Sequence, residues 1–165
     1  MDERDGVDVI IEEWRRERPD LDASPIGVIG RVSRLARELE QRLEVVYREQ
    51  GLEPGWHDVL ATLRRSGPPY RLRASDFTDT LMLTSSGTTK RLDRLERAGL
   101  IERTPDPADR RGVLITLTPA GHERVDATIE AHVANEHRLL AGLADAERDQ
   151  LAALLRRLQL GLPDR

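Results

Sequence analysis

The chain has 165 residues, with 26 Lys and Arg against 30 Asp and Glu, a net charge of −4 and a hydrophobic fraction of 38%. This composition is typical of one globular, helix-rich unit, and the lack of cysteine excludes a disulfide framework, a thiolate nucleophile and a Cys-ligated zinc. No segment approaches the roughly 18 to 20 apolar residues that span a bilayer, and the N-terminus lacks the apolar core of a signal peptide. We therefore expect a cytoplasmic protein without a membrane partner.

Charge is spread unevenly along the chain. Residues 60–111 hold 11 Arg and Lys and 7 Asp and Glu, a net charge of +4, whereas the remainder holds 15 and 23 and carries −8. The distribution of charge matters more than its total for a nucleic-acid partner, which needs a local basic surface. The basic central segment is therefore the candidate binding region of an otherwise acidic chain.

Apolar residues at helical spacing predict three helices before this central segment and two after it. Prolines, glycines and capping residues bound these helices, which cover residues 7–18, 24–51, 54–66, 118–143 and 145–160. In the centre, turn residues separate an extended segment at 70–72, helices at 74–81 and 84–98, strands at 100–104 and 113–117, and a loop at 105–112. The sequence thus predicts a mainly α fold of the α+β class, in which a helix-turn-helix precedes a small β-hairpin.

The second helix of this candidate helix-turn-helix has two contrasting faces. At about 100° per residue, one side carries Leu92, Leu95, Thr88 and Gly99, and the opposite side is polar and basic. Small side chains near the N-terminus of a recognition helix approach base edges, while later arginines hold phosphates. The alternative is the solvated face of an ordinary surface helix. The residues that we predict to contact DNA from this helix are Ser86, Gly87, Thr89, Lys90 and Arg94.

The hairpin that follows favours the DNA-binding interpretation. Arg110 and Arg111 lie at its predicted tip, where a guanidinium can enter the electronegative minor groove. Asp109 can orient one of the two arginines. A solvated loop of mixed charge is the alternative, but the position directly after a helix-turn-helix favours a wing, so we predict that all three residues bind DNA.

Four stretches of this region resemble the winged-helix core of MarR-family transcriptional regulators. They are LTSSGTTKRLDRLE at 83–96, GLIER at 99–103, DRRG at 109–112 and LTPAG at 117–121. The resemblance extends over nearly the whole chain, and it implies an obligate homodimer on a pseudo-palindromic site with Asp109 and Arg111 as the wing pair. Gly112 is a mild departure, because relatives often have Ser there.

The chain also resembles a subgroup of that family that senses urate or related small anions and carries an added N-terminal helix. Trp14, Asp58, Arg91 and Arg103 match the ligand-responsive set of this subgroup by residue type. On the helical wheel Arg91 lies on the flank of its helix, about 70° from the centre of the buried stripe, so it can point inward at Asp58.

A mechanism follows as a hypothesis from these positions. An anion held near Trp14 competes with Asp58 for Arg91, and loss of that pair moves the recognition helix, so that ligand and DNA exclude each other. Alternatively, Trp14 anchors the added helix and Asp58 forms a static ion pair with Arg91. A pocket with one aromatic ring and two arginines also suits other purines, tricarboxylates and phenolic compounds.

The terminal helices have apolar stripes that a lone protomer leaves exposed, which favours a homodimer. We expect one domain over 1–165, in which 1–50 and 119–165 supply dimerisation helices and 54–117 the winged helix-turn-helix. Two symmetric recognition helices then enter successive major grooves about 10 to 10.5 base pairs apart.

No constellation of residues suggests catalysis or a metal. His122, His132 and His137 share one helix at intervals that do not place them on one face. His57 and Asp58 point about 100° apart on a helix, and no nucleophile completes a triad. We predict a protein that is not an enzyme and needs no cofactor, only a small-molecule effector. The second class that we consider is an interaction module of the same fold that has lost DNA binding.

Overall fold

The structure is a computed structural model that describes residues 4–77 and 85–163. It divides the chain into two compact units, an N-terminal unit of residues 1–45 and a C-terminal unit of residues 46–165, which we describe separately. The elements in chain order are α1 (Gly6–Glu17), α2 (Ile26–Glu49), α3 (Trp56–Arg65), β1 (Arg71–Arg73), α4 (Ser85–Arg97), β2 (Ile101–Asp106), β3 (Asp109–Leu117), α5 (Pro119–Leu139) and α6 (Asp145–Leu160).

In the N-terminal unit, a capping box begins α1. The Asp5 carboxylate accepts hydrogen bonds from the backbone N–H groups of Val7 and Asp8, and the Asp8 carboxylate accepts one from Asp5 N–H. Arg31 of α2 forms ion pairs with both carboxylates at 2.8 Å. A side chain at Gly30 would place its Cβ 3.3 Å from Val7, so the glycine allows α1 to pack closely on α2. The helix predicted over 7–18 is confirmed.

The C-terminal unit combines the remaining helices with an antiparallel sheet in the order β1-β3-β2. Leu72 of β1 lies opposite Ile115 of β3, and Arg103 of β2 lies opposite the same residue from the other side. The mainly α fold with a hairpin is confirmed, and the extended segment predicted at 70–72 becomes the third strand. The fully buried residues of its core are Val59, Leu60, Leu63, Phe77, Leu95 and Ile115.

The loop predicted over 105–112 is wrong. β2 continues to Asp106 and β3 begins at Asp109, so a turn at residues 107–108 joins them. The Asp106 carboxylate accepts a hydrogen bond of 2.9 Å from the backbone N–H of Ala108, which stabilises this tight turn. The hairpin is therefore more regular than its run of proline and charged residues indicated.

One predicted helix ends earlier in the structure than expected, and two others lie partly outside the described residues. α5 ends at Leu139 rather than near 143, and a turn that contains Gly142 follows it. The helix predicted over 74–81 and the start of the one predicted over 84–98 fall partly outside the described residues. None of the described helices is long and apolar enough to cross a membrane.

Candidate nucleic-acid interface and effector site

The face of α4 opposite the core is polar and basic. Leu92 and Leu95 are 4% and 0% exposed, whereas Thr89 and Lys90 lie on the surface, and the Arg94 side chain is 60% exposed. A helix with one buried apolar edge and one exposed basic edge is the form in which winged-helix proteins present a recognition helix. The sequence placed Gly99 on the buried edge, which is wrong, because α4 ends at Arg97 and Gly99 lies exposed in the turn that follows.

The other residues predicted to bind DNA are only partly described. Gly87 is half-buried in the first turns of α4, and the side chains of Ser86, Arg110 and Arg111 lie outside the described part of the chain. The backbone places Arg110 and Arg111 in β3, just after the turn, and not at the tip itself. Asp109 is the first residue of β3 and lies opposite Asp106.

Two arginines of α4 contact the segment that leads into α3. Arg94 Nη1 lies 2.9 Å from Glu53 Oε2. The Arg91 guanidinium lies over the backbone of Gly55, where an added Cβ would come 2.5 Å from Arg91 Cζ. Gly55 has a φ of +76°, in the left-handed region that favours glycine. The position of Arg91 thus depends on a glycine at the N-terminus of α3.

Arg91 and Asp58 are close enough to interact electrostatically, but in the described part of the chain they form no direct ion pair. Loss of hydration raises the pKa of the Asp58 carboxyl above its usual value, while the charge of Arg91, followed by those of His132 and Arg65, acts in the opposite direction. Arg91 Nη1 is buried without a hydrogen-bond partner. A buried guanidinium N–H without a hydrogen-bond partner is a site where a small polar group gains a hydrogen bond.

Arg103 serves a different contact. Its Nη1 lies 2.6 Å from Asp93 and 3.1 Å from Glu96, both in α4, and its side chain is 25% exposed. β2 is thereby tied to the recognition helix by a charge-assisted pair of hydrogen bonds. The ligand-binding role of Arg103 stays a prediction. Trp14 belongs to the N-terminal unit, where it lies on the same side of α1 as the buried Val7 and Ile11 but is itself 44% exposed.

Sequence reasoning missed a buried cluster of aromatic rings in the C-terminal unit. The His57 ring stacks on Tyr47 at 4.4 Å and lies 4.9 Å from His132, whose Nδ1 is 3.0 Å from the Tyr47 hydroxyl. Burial, followed by the nearby His132, lowers the pKa of His57 to about 4, and burial together with the charges of Asp58 and Glu136 raises the pKa of Tyr47. His57 Nδ1 has no hydrogen-bond partner in the described residues. The residues come from three elements, so no local pattern marks them.

Sequence reasoning also missed Asp106 and Arg73. Asp106 is 6% exposed, and its carboxylate accepts a hydrogen bond of 2.9 Å from Arg73 Nε. The Asp-Pro pair before the hairpin turn was a local signal for the turn, because aspartate accepts hydrogen bonds from the backbone two residues on. The described residues hold no group of three or more His, Asp or Glu side chains suited to a metal ion.

A helix, α4, with one buried apolar face and one exposed basic face, followed by the β2–β3 hairpin of a three-stranded sheet, is the arrangement of a winged-helix DNA-binding protein. A model of the MarR family matches residues 50–112. The chain is 42% identical over 153 residues to the transcriptional regulator PecS of Dickeya dadantii strain 3937, a match that covers 93% of this chain and 92% of that protein. The chain therefore belongs to the MarR family of transcriptional regulators.

Two solved structures support the same fold. A MarR-family regulator from Streptomyces coelicolor in complex with DNA is 26% identical, with a TM-score of 0.77, and the match covers 87% of this chain and 91% of that one. BpsR of Bordetella bronchiseptica, whose DNA binding is regulated by 6-hydroxynicotinic acid, is 28% identical, with a TM-score of 0.65 and coverage of 78% and 98%. Regulators of this family respond to small-molecule effectors rather than to a resident cofactor.

Proposed function

We propose that this chain is a dimeric repressor that binds a pseudo-palindromic operator and releases it when a small anion such as urate binds. The observation that carries the proposal is the exposed face of α4, which presents Thr89, Lys90 and Arg94 opposite the buried Leu92 and Leu95. The DNA-bound relative from Streptomyces coelicolor supports a DNA partner.

In this proposal the first turns of α4 enter the major groove. Ser86, Gly87 and Thr89 approach base edges, while Lys90 and Arg94 neutralise phosphates. Arg110 and Arg111, one of them oriented by Asp109, enter the adjacent minor groove from the hairpin. Because four residues of this contact set are cationic, binding weakens as salt rises.

The effector acts on the contacts that hold α4 in place. The unpartnered Arg91 Nη1 offers an anion a hydrogen bond, and an anion bound there is also repelled by Asp58 unless that carboxyl carries a proton. Trp14 supplies a ring for stacking and Arg103 a second cation. Because Arg91 and Arg103 also hold α4 against its neighbours, an effector that recruits them competes with the arrangement that binds DNA.

Two classes of effector suit this set of residues. Urate is the first, from the match of Trp14, Asp58, Arg91 and Arg103 to the urate-responsive subgroup. The second is an aromatic carboxylate or phenol, favoured by the regulation of BpsR by 6-hydroxynicotinic acid. Both are planar, and both bring oxygen atoms that accept hydrogen bonds from a guanidinium.

The homodimer is supported by apolar side chains that a single chain leaves exposed. On α2, Val28, Ile29 and Leu35 are 50–56% exposed. α6 buries none of its residues, although Leu151, Leu154, Leu155 and Leu158 recur at helical spacing. Apolar stripes of this length on terminal helices are typical of a subunit interface.

The test is a gel-shift titration on DNA from the region upstream of the protein's own gene. Wild type, Trp14→Phe and the control Val9→Ala, an exposed apolar position on the same helix, are each titrated with urate and with 6-hydroxynicotinic acid. We expect specific binding that one of the two anions releases at millimolar concentration, with release weakened in Trp14→Phe and unchanged in Val9→Ala.

Other outcomes separate the parts of the proposal. Specific binding that neither anion affects keeps the regulator and overturns the effector assignment. Equal release in all three proteins removes Trp14 from the ligand site. No specific binding at any salt concentration contradicts the repressor and favours the interaction module.

A further inference from the structure

The wing has a buried acid beside its turn. Asp106 ends β2, and its carboxylate is 4% exposed. One carboxylate oxygen accepts the N–H of Ala108 in the turn, and the other accepts Arg73 Nε, each at 2.9 Å. A buried carboxylate requires such partners, since an unpaired charge away from water is strongly destabilising.

The partner arginine comes from the far edge of the sheet. Arg73 ends β1, and the strand order β1-β3-β2 places the central strand between Arg73 and Asp106. The guanidinium therefore crosses β3 to reach the carboxylate, and it joins all three strands at the end where the hairpin turns. Lack of a side chain at Gly112 keeps this place open, because a Cβ there would lie 2.9 Å from Asp106 Cβ.

The Arg73 side chain is bound by Asp106 but remains exposed to solvent. Asp106 binds Nε alone among the described residues, and 55% of the Arg73 side chain is exposed. More than half of the side chain thus remains at the surface, while its Nε is held by a buried carboxylate. An arginine that is oriented in advance loses less conformational entropy when it binds an anion than a mobile one does.

The Arg73 guanidinium lies where it can contact a DNA phosphate. Asp106, which holds it, lies opposite Asp109 in the sheet, and Asp109 is followed directly by Arg110 and Arg111. When the turn of a wing enters the minor groove, a side chain on the strand that flanks the hairpin beside that turn faces the sugar-phosphate backbone that borders the groove.

We propose that Arg73 is a DNA-backbone contact beside the turn of the wing and that Asp106 is the positioning residue that aims it. This inference rests on the proposed DNA-binding function. It adds a phosphate contact outside the recognition helix and the hairpin strands, supplied by β1. It also assigns a role to the buried charge of Asp106, which orients the Arg73 guanidinium.

The experiment compares the salt dependence of operator binding in four proteins. They are wild type, Arg73→Gln, the double variant Arg73→Gln with Asp106→Asn, and the control Arg42→Gln, which removes an exposed arginine paired with Glu38 on α2. The double variant keeps the net charge of the wild type and leaves no buried unpaired carboxylate, so it folds even if Arg73→Gln alone does not. Circular dichroism and thermal unfolding check each fold.

We expect the slope of log K against log salt to fall in both Arg73 variants by about 0.9 per arginine, or about 1.8 in a dimer. The slope of Arg42→Gln stays at the wild-type value. A double variant with the wild-type slope overturns the contact. If wild type itself shows no specific binding, the proposed function fails instead.

Asp106→Asn tests the positioning role, because charge alone and loss of positioning predict opposite changes in DNA affinity. This variant removes a negative charge, so electrostatics alone strengthens DNA binding. We expect several-fold weaker operator binding instead, because the Arg73 guanidinium loses its fixed orientation while the turn keeps an acceptor for Ala108 N–H. Tighter binding than wild type, at equal thermal stability, overturns the positioning role.

Discussion

At the scale of single residues, Gly55 and Arg91 depend on each other. Gly55 combines a φ of +76° with a guanidinium at 2.5 Å from the place of a Cβ, whereas Gly67 has a φ of +79° and open space around it. A side chain added at either position therefore costs backbone strain, because both lie in the left-handed region. Only at Gly55 does the added side chain also clash with a neighbour.

We predict that Gly67→Ala lowers the free energy of unfolding by about 1 kcal/mol, the cost of a Cβ at positive φ. Gly55→Ala is expected to cost roughly 1 to 3 kcal/mol more, because Arg91 must leave its place or the backbone must shift. Urea unfolding of the two variants measures the difference. Equal losses contradict the packing of Arg91 on Gly55.

The second prediction at this scale concerns His57 and pH. Its folded pKa of about 4 lies below the ordinary histidine value of about 6.5, so the unfolded chain takes up a proton first as the pH falls. The stability that the neutral, buried ring contributes is therefore complete above pH 6.5 and is lost between about 6.5 and 4. At about 1.36 kcal/mol per pKa unit, the loss is on the order of 3 kcal/mol.

Unfolding in urea at several pH values between 7 and 4.5 measures this loss, and His57→Phe is the reference. The phenyl ring preserves stacking on Tyr47 without a titrating group, so the variant is expected to lose less stability as the pH falls. Asp58 acts in the opposite direction, because its raised pKa favours the folded state at low pH in both proteins. Parallel curves for the two proteins contradict the assignment to His57.

At the scale of elements, the sequence predicted what local patterns determine. Helical spacing and caps gave α1, α2 and α3 to within a few residues, because each is an amphipathic helix with a proline or glycine near its ends. The hairpin was predicted with too long a loop, over 105–112, since its turn depends on Asp106 and on Arg73, 33 residues earlier in the chain. Such contacts between distant segments leave no local periodicity.

The residues of the candidate site likewise separate into those that local patterns predicted and those that depend on contacts between elements. The exposed side of α4 followed from one helical wheel and from the residues themselves. The partners of Arg103 and the stacking of His57 on Tyr47 required the packing of several elements, so the sequence did not indicate them. Resemblance to a family supplied the ligand-responsive set, which geometry alone does not distinguish from structural ion pairs.

The contact between β2 and α4 carries a prediction of its own. Arg103 is mostly buried between Asp93 and Glu96, so we expect its removal and that of its partners to be strongly non-additive. A double-mutant cycle of Arg103→Gln with Asp93→Asn and Glu96→Gln is expected to give a coupling free energy of about 1 to 2 kcal/mol. Chemical denaturation of the four proteins measures it.

The pair of Arg42 and Glu38 on α2 serves as the reference for this cycle. It is an exposed pair one helical turn apart, for which a coupling of about 0.3 to 0.5 kcal/mol is typical. If the cycle at Arg103 gives no more than this, the salt bridge does not hold α4 to the wing, and the ligand-binding role of Arg103 gains support.

At the scale of the whole molecule, α6 requires a partner surface in the proposed dimer. The helix presents Leu151, Leu154, Leu155 and Leu158 along one side, yet none of them is buried within the chain. At about 100° per residue, Ala153 lies on the opposite side of the same helix. A solvated helix tolerates a new charge at either position, but of the two only Leu154 belongs to the apolar stripe.

We predict that Leu154→Glu dissociates the dimer or raises its dissociation constant by at least tenfold, because an unpaired carboxylate in an apolar interface loses its hydration. Ala153→Glu, which adds the same charge on the opposite side, is expected to leave the dimer intact. Sedimentation equilibrium over a range of protein concentrations measures both. Since a single winged helix holds one half-site, Leu154→Glu should also weaken operator binding far more than binding to a single half-site. Dimers of equal stability in both variants would place the interface elsewhere.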